Sequence, residues 1–451
     1  MPAGRDKEHG RELFKLPGWL GVRRIEALLL AVLLCVGALA AITITNVNEW
    51  HVQATQPPVK KIAGRDLGNP AYGVKSGRVY SSIEDGLNVT YVEVSVPRCH
   101  RATFSPVLNV SGSGVSAKLF AESVSGSYAG QLNASITLGA NLQVVVSRGT
   151  ITQQTGTPVT ISGQTSLSLQ VAVGSGAPLG VEVARIYTWL YFNYSTAKAR
   201  QKIVWIVKTL PTPPRVVLFY DGFESGTLAG WTSTTYAYVE QKNYDVTVTE
   251  TCYTRTPTPR TITDTTRPVA GSWLAWIGFG NQVTCEPVPA RDDYLRRSIS
   301  VPSSIDGVEV KYVNATFWWR FLTWDSANYD YITLSLSKGT TTFYWKNGYN
   351  PNSGNNYGPF RDTGWQRNST FFSGVAGSTI TLSFLLHTYS DQYYRSWLYI
   401  DEVYVVAYFD CVSASQDPSL DVAGSAPASS LSLTSTLHTR QDNGSCVACR
   451  G

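Results

Sequence analysis

The chain has 451 residues, 43% of them hydrophobic and only 15% charged, with a formal net charge of +5. That is enough length and apolar matter for two or three domains with sizeable cores. The charge is diffuse, with no Lys/Arg cluster interleaved with aromatics, so nucleic acid is excluded as a partner.

Arg5, Lys7, Arg11, Lys15, Arg23 and Arg24 precede an apolar run, residues 25–44 (IEALLLAVLLCVGALAAITI). About 20 residues span a bilayer core of about 30 Å as a helix. The run therefore predicts a transmembrane helix or signal, and the excess of basic residues before it places 1–24 in the cytoplasm and everything after about 45 outside. Trp19 and Trp50 lie just beyond its ends, where amphipathic rings favour the headgroup zone. The same run also reads as a secretory signal cleaved after Ala38-Leu39-Ala40. Gly21-Val22-Arg23-Arg24-Ile25-Glu26 resembles the class III signal of type IV pilin-like proteins, which implies cleavage after Gly21 and a secreted or cell-surface filament. Arg23 and Arg24 depart from that pattern, since such helices keep apolar residues there.

Residues 45–72 mix Asn, Pro and Gly without a sustained period and predict an extended stalk. From 73 to 208 a period of two takes over. Ser166–Val173 alternates cleanly, Leu87–Val96 changes phase near Tyr91 as a β-bulge would make it, and about eight or nine such runs between Gly/Ser turns predict a β-sandwich. Thr209-Leu210-Pro211-Thr212-Pro213-Pro214 predicts a stiff polyproline linker rather than a packed interface. The fold class is thus all-β after the N-terminal helix.

The second half is framed by Asp221–Trp231 (DGFESGTLAGW) and Trp397–Val405 (WLYIDEVYV). These motifs resemble the first and last strands of MAM-like and other concanavalin-A-like jelly-roll modules of secreted and surface proteins. The resemblance covers residues 215–411 and implies a second, jelly-roll sandwich. Candidate core strands are Val216–Tyr220, Ser272–Phe279, Val308–Phe321, Tyr331–Ser337, Ile380–His387 and Trp397–Tyr408. Residues 412–451 are Ser/Thr/Ala-rich, carry a C-x-x-C and predict a disordered tail.

Cys35 falls in the apolar run. The other six cysteines, Cys99, Cys252, Cys285, Cys411, Cys446 and Cys449, permit full pairing, which suits an oxidising exterior. Cys252 with Cys285 is the first pairing to expect, and the terminal Cys446 and Cys449 suggest a local disulfide or a link to another chain. Seven Asn-x-Ser/Thr sequons, at Asn88, Asn109, Asn133, Asn193, Asn314, Asn368 and Asn443, all follow the apolar run and are candidate glycosylation sites.

Two constellations carry chemistry. Asp221, Glu224, Asp401 and Glu402 come from the first and last strands of the jelly-roll half, and converging carboxylates suit a hard cation. The resemblance implies a structural calcium ion there, with Glu224 and Asp401 foremost. Trp345, Tyr349, Tyr357 and Trp365 flank the polar loop Asn347–Tyr357 and are the candidate sugar-binding rings, because a flat ring covers the apolar face of a pyranose while amides bond its hydroxyls. The five histidines are scattered, and the alternating Glu-x-Asp-x-Glu strand of glycosidases on this fold is missing, so no enzyme activity is expected. The expectation is a membrane-anchored surface protein for adhesion, binding glycans or other surface proteins. The rival is a self-assembling subunit of a filament or surface layer built by strand addition.

Overall fold

The computed structural model describes residues 59–411, apart from 85–86, 156, 195–196, 251–259, 279–289, 353–359 and 390–395. The predicted N-terminal helix, its alternative processing sites and the C-terminal tail lie outside the described residues. No helix among those described is long and apolar enough to cross a membrane. Apart from one short 3-10 turn at Ala129–Gln131, the regular structure of the described residues is all β-strand.

The first sandwich is one continuous sheet. Its strands run in the order Ser76–Glu84, Leu87–Val96, Ala197–Thr209, Glu182–Tyr194, Arg101–Ser125, Val159–Val173, Leu132–Leu138, Leu142–Ser147 and Thr150–Gln154. Every pairing along that path is antiparallel except Leu87–Val96 with Ala197–Thr209. The 25-residue strand Arg101–Ser125 pairs with one neighbour along its first part and a second along its last, and its register shifts at Phe104/Leu108, Ser113/Val115 and Ala121/Ser123. Such bulges add local twist, which lets a long strand turn and curl the sheet over its own core. Alternate side chains such as Val92, Val94, Phe104, Leu169 and Leu190 fill that interior. The Gln154 side chain closes the curl by exchanging two hydrogen bonds with the Ala121 backbone.

The phase change near Tyr91 has a different cause from the bulge expected. Leu87–Val96 keeps unbroken register with both neighbours. Val89 instead joins Val204 and Ile206 in a small apolar cluster on the outer face, shielded by Tyr91 and Tyr187. Both faces of this strand are therefore partly buried.

The second sandwich has two sheets. A five-stranded sheet orders Thr232–Ser233, Arg291–Val301, Ser378–Thr388, Tyr331–Lys338 and Thr341–Tyr349. A seven-stranded sheet is centred on Ser396–Tyr408 and Tyr312–Thr323. The sheets meet where Phe317 of the larger packs edge-on against Phe384 of the smaller, ring centroids 4.9 Å apart. The hairpin of Val246–Glu250 and Arg260–Asp264 covers the outer side of the larger sheet over Trp276, Leu322, Trp397 and Tyr399. This second cover leaves Ser396–Tyr408 buried on both faces, Asp401 and Glu402 included. Buried Asp264 anchors the cover, accepting from the Tyr399 hydroxyl at 2.5 Å with Lys242 Nζ 3.6 Å away.

The two sandwiches are tied together at several points, where the proline-rich segment predicted a stiff linker rather than a packed interface. Cys99 and Cys411 form a disulfide, and Arg98 beside it makes a bidentate pair with Asp410 at 3.0 and 2.9 Å. The hairpin of Ser304–Ile305 and Val308–Glu309 extends from the second sandwich and pairs Val308 with Ala102 of the first. Buried Lys75 sits beside it, donating to Asp66 and to the Thr103 carbonyl, both at 2.6 Å. In the proline-rich segment, Leu210 N–H bonds the Val96 carbonyl, while the Pro214 carbonyl accepts from Phe409 N–H. Part of the expected stalk is likewise docked. Gly64 N–H bonds Val107 O, Asp66 N–H bonds Pro106 O, and a Cβ at Gly64 would lie 2.0 Å from the Pro106 oxygen.

Candidate functional site

The acidic corner forms, and its geometry is built by amide donors. Phe223 and Glu402 hold φ of 58° and 50°, bending the chain so that neighbouring N–H groups turn toward the carboxylates. Asp221 accepts from Phe223 N–H at 2.8 Å and the Trp231 indole at 2.7 Å. Glu224 Oε1 accepts from both Ser272 and Trp273 N–H at 2.9 Å. Fully buried Asp401 takes Val269 and Ala270 N–H on one oxygen and Glu402 N–H on the other. Burial pushes its pKa up to about 8 against the pull of those amides. Glu402 is claimed by the Tyr220 and Tyr404 hydroxyls at 2.9 and 2.7 Å.

Calcium needs six to eight oxygen donors around it. Here the ring of partners is made of N–H and O–H groups that point their positive ends at the carboxylates. Among the described residues no group of three or more His, Cys, Asp or Glu side chains is placed to hold a metal ion.

The three aromatic candidates among the described residues do not converge on one loop. Trp345 and Tyr349 belong to the strand Thr341–Tyr349. Trp345 packs among Phe317, Phe343 and Phe372 and donates its indole N–H to Thr370, while Tyr349 stands edge-on to Trp319 under Lys346. Trp365 belongs to the covered cluster behind the larger sheet and bonds the Arg267 carbonyl. Tyr357 lies outside the described residues. The Asn-rich loop turns inward at its start: buried Asn350 and Asn352 donate to the Asp325 and Asp330 carbonyls.

The structure instead presents a graded polar face that periodicity hides. In Arg291–Val301 and Ser378–Thr388, Leu295, Ile299, Leu382, Phe384 and Leu386 enter the core, so the alternate set points outward. Register places Asp292, His387 and Tyr331 in one row across the five-stranded sheet. His387 Nδ1 lies 2.7 Å from Asp292 Oδ1, and its ring stacks on Tyr331 with centroids 4.5 Å apart and planes within 14°. Two rows on, Arg296 donates to Ser383 at 3.2 Å with its guanidinium 3.9 Å from the Tyr294 ring centroid. The next row pairs the Ser298 and Thr381 hydroxyls. Tyr344, half exposed, edges the patch opposite Ser335. The outward set of Ile380–His387, which includes Thr381, Ser383 and His387, is the signal in the sequence that could have found this face.

Burial corrects two glycosylation sites. Asn109 and Asn314 are buried and hydrogen-bonded, to Ser166 and to Thr316 and Ser369 respectively, leaving no room for a glycan on the folded chain. Asn88, Asn133 and Asn193 are exposed, Asn368 is half-buried and accepts from the Trp319 indole, and Asn443 lies outside the described residues. Cys252, Cys285, Cys446 and Cys449 also lie outside them.

No family model matches the chain, and no curated protein does either. Among solved structures, TmCBM61 in complex with beta-1,4-galactotriose is similar at 12% identity over 41% of this chain and 92% of that one, TM-score 0.25. The K1 cleaved adhesin domain of Lys-gingipain from Porphyromonas gingivalis W83 is similar at 15% identity over 42% and 96%, TM-score 0.23. Carbohydrate-binding modules from the beta-sandwich superfamily are similar at 11% identity over 74% and 99%, TM-score 0.17. Likenesses this distant carry no functional argument, which leaves the side chains themselves to carry it.

Proposed function

We propose that the second sandwich is a saccharide-binding module and that its ligand lies on the outer face of the five-stranded sheet. The observation that carries this reading is the row Asp292–His387–Tyr331, where a carboxylate, an imidazole and a flat phenol ring stand side by side on a rigid sheet. A pyranose offers an apolar face to such a ring and a rim of hydroxyls to the charged and hydroxyl groups around it. Asp292 is the carboxylate of this row, and its neighbour Asp293 turns into the protein to pair with Arg291. Glycoside hydrolysis needs two carboxylates flanking one bond, so the face suits binding rather than turnover.

In this reading the module is of the MAM-like, jelly-roll kind, the apolar run 25–44 tethers it to the outside of a cell, and glycan recognition serves adhesion. A glycan array of neutral oligosaccharides followed by calorimetry tests the binding. Tyr331→Ala should weaken the best ligand by about tenfold, the worth of one aromatic contact, and an array without neutral ligands ends the proposal. Labelling of intact cells with an impermeant reagent tests the topology.

A subunit of a surface filament is favoured by one separate observation. Among the described residues Ser76–Glu84 ends the strand order of the first sheet, pairing there only with Leu87–Val96, and Ile83 on it is 81% exposed. An open edge of this kind accepts an added strand. Electron microscopy of the purified protein separates polymers from monomers.

A further inference from the structure

The outer face of the first sandwich carries a second patch, remote in sequence from the one above and independent of that reading. Register sets two rows of three side chains across adjacent strands: Lys118, Tyr191 and Arg200 in one, Phe120, Trp189 and Lys202 in the next. Three cations and three rings thus share one face.

Arg200 lies 4.5 Å and Lys202 5.8 Å from the Trp189 ring centroid, and Lys202 also covers Tyr187 at 5.2 Å. None of Lys118, Arg200 and Lys202 has a carboxylate within ion-pair distance among the described residues. The neighbouring acids are committed elsewhere, Glu93 to Arg78 and Lys208, and Glu182 to Arg185. Glu122 touches the patch only as acceptor of the Trp189 indole N–H at 2.9 Å.

Beside these rows opens a cleft of about 400 Å³ lined by Ser116, Lys118, Phe120, Pro158, Tyr191 and Asn193. Phe120 and Tyr191 are 41% and 39% exposed, high for aromatic rings on a sheet face, and meet edge to face at 6.3 Å. The cleft therefore has apolar walls, an amide and a hydroxyl, and a lysine at its rim with no anion to answer it.

We propose that this cleft binds an anion-bearing saccharide, a sugar carrying a carboxylate or a sulfate ester. Its apolar C–H face packs on Phe120 and Pro158, its hydroxyls bond Asn193 and Ser116, and its anion meets Lys118 and the field of Arg200 and Lys202. A single-stranded nucleic acid fits less well. Cations already cover Trp189, the 72° angle between Phe120 and Tyr191 offers no shared stacking platform, and Glu122 repels a continuous phosphate chain.

The full chain, made in a host that leaves Asn193 unmodified, is titrated by calorimetry with oligogalacturonate, a sulfated oligosaccharide, neutral cello-oligosaccharide and a single-stranded DNA oligomer. Binding of either anionic sugar is expected, weakened by added salt and lowered at least about tenfold by Lys118→Glu combined with Arg200→Glu, the scale of one or two charge-assisted hydrogen bonds. Phe120→Ala should lower it comparably without changing the salt dependence, while Tyr331→Ala on the other sandwich leaves it intact. Thermal unfolding checks that each variant is folded. No binding of either anionic sugar, binding untouched by charge reversal, or preference for DNA overturns the proposal; failure of the neutral-glycan face has no bearing on it.

Discussion

Gly271 shows how tightly single residues hold the acidic corner. It sits at φ 66°, and a Cβ there would come within 2.1 Å of the Glu224 oxygen that accepts from Ser272 and Trp273. Gly271→Ala strains the turn and displaces that acceptor together, so it should cost about 2 kcal/mol or more in denaturant unfolding. His100 is a second such point. It is fully buried, its Nε2–H donates to the Asp410 carbonyl at 3.2 Å, and its Nδ1 has no partner among the described residues. Burial lowers its pKa from 6.5, because a second proton would leave a charged donor facing nothing. The unfolded chain then binds a proton that the folded chain refuses. Stability from this residue is complete above pH 6.5 and falls below it by up to about 1.4 kcal/mol per pH unit until the lowered folded pKa is reached. Comparing wild type with His100→Leu by thermal unfolding at pH 7 and pH 5 isolates this slope. Asp264 acts lower on the scale: its pKa is lowered, so its contribution is lost only under more acid conditions.

Among elements, the hairpin between the sandwiches turns on Asp306 and Gly307, both left-handed at φ 48° and 72°, the signature of a two-residue turn that matches strand twist. A Cβ at Gly307 would lie 2.6 Å from the Thr103 oxygen, and Thr103 N–H bonds the Gly307 carbonyl. Gly307→Ala should cost roughly 2 kcal/mol, with faster limited proteolysis at 304–309 as its readout. Strands were readable wherever one face alone is buried. Ser166–Val173 and Ile380–His387 lie within Val159–Val173 and Ser378–Thr388 with the expected alternation. The misleading case, at Tyr91, is a strand with cover on both sides. Sites were less legible than strands. Asp292, Tyr331 and His387 are scattered along the chain and meet only through register, while the Trp- and Asn-rich stretch that looked like a ligand loop spends Trp345, Asn350 and Asn352 on packing. A sheet face is a two-dimensional object, and sequence samples it one strand at a time.

For the whole molecule the decisive bond is Cys99–Cys411, which spans 312 residues. In the chain-entropy account a loop of that size restricts the unfolded ensemble by about 5 to 6 kcal/mol. Reduction, or Cys99→Ser with Cys411→Ser, should lower the thermal midpoint by several degrees, and Arg98 with Asp410 should keep the sandwiches associated afterwards. That distant pair was not readable beforehand, since six cysteines outside the apolar run leave many pairings open.

The same crosslink redirects mechanical tension. A pull applied before residue 99 and after residue 411 passes straight through the sulfur atoms, and residues 100–410 between them are spared, including the whole second sandwich and most of the first. Single-molecule stretching should therefore release roughly 1,100 Å less contour length from the oxidised protein than from the reduced one, at about 3.6 Å per residue. A protein wired in this way can be tugged at its ends while the sheet faces between the two cysteines keep their shape.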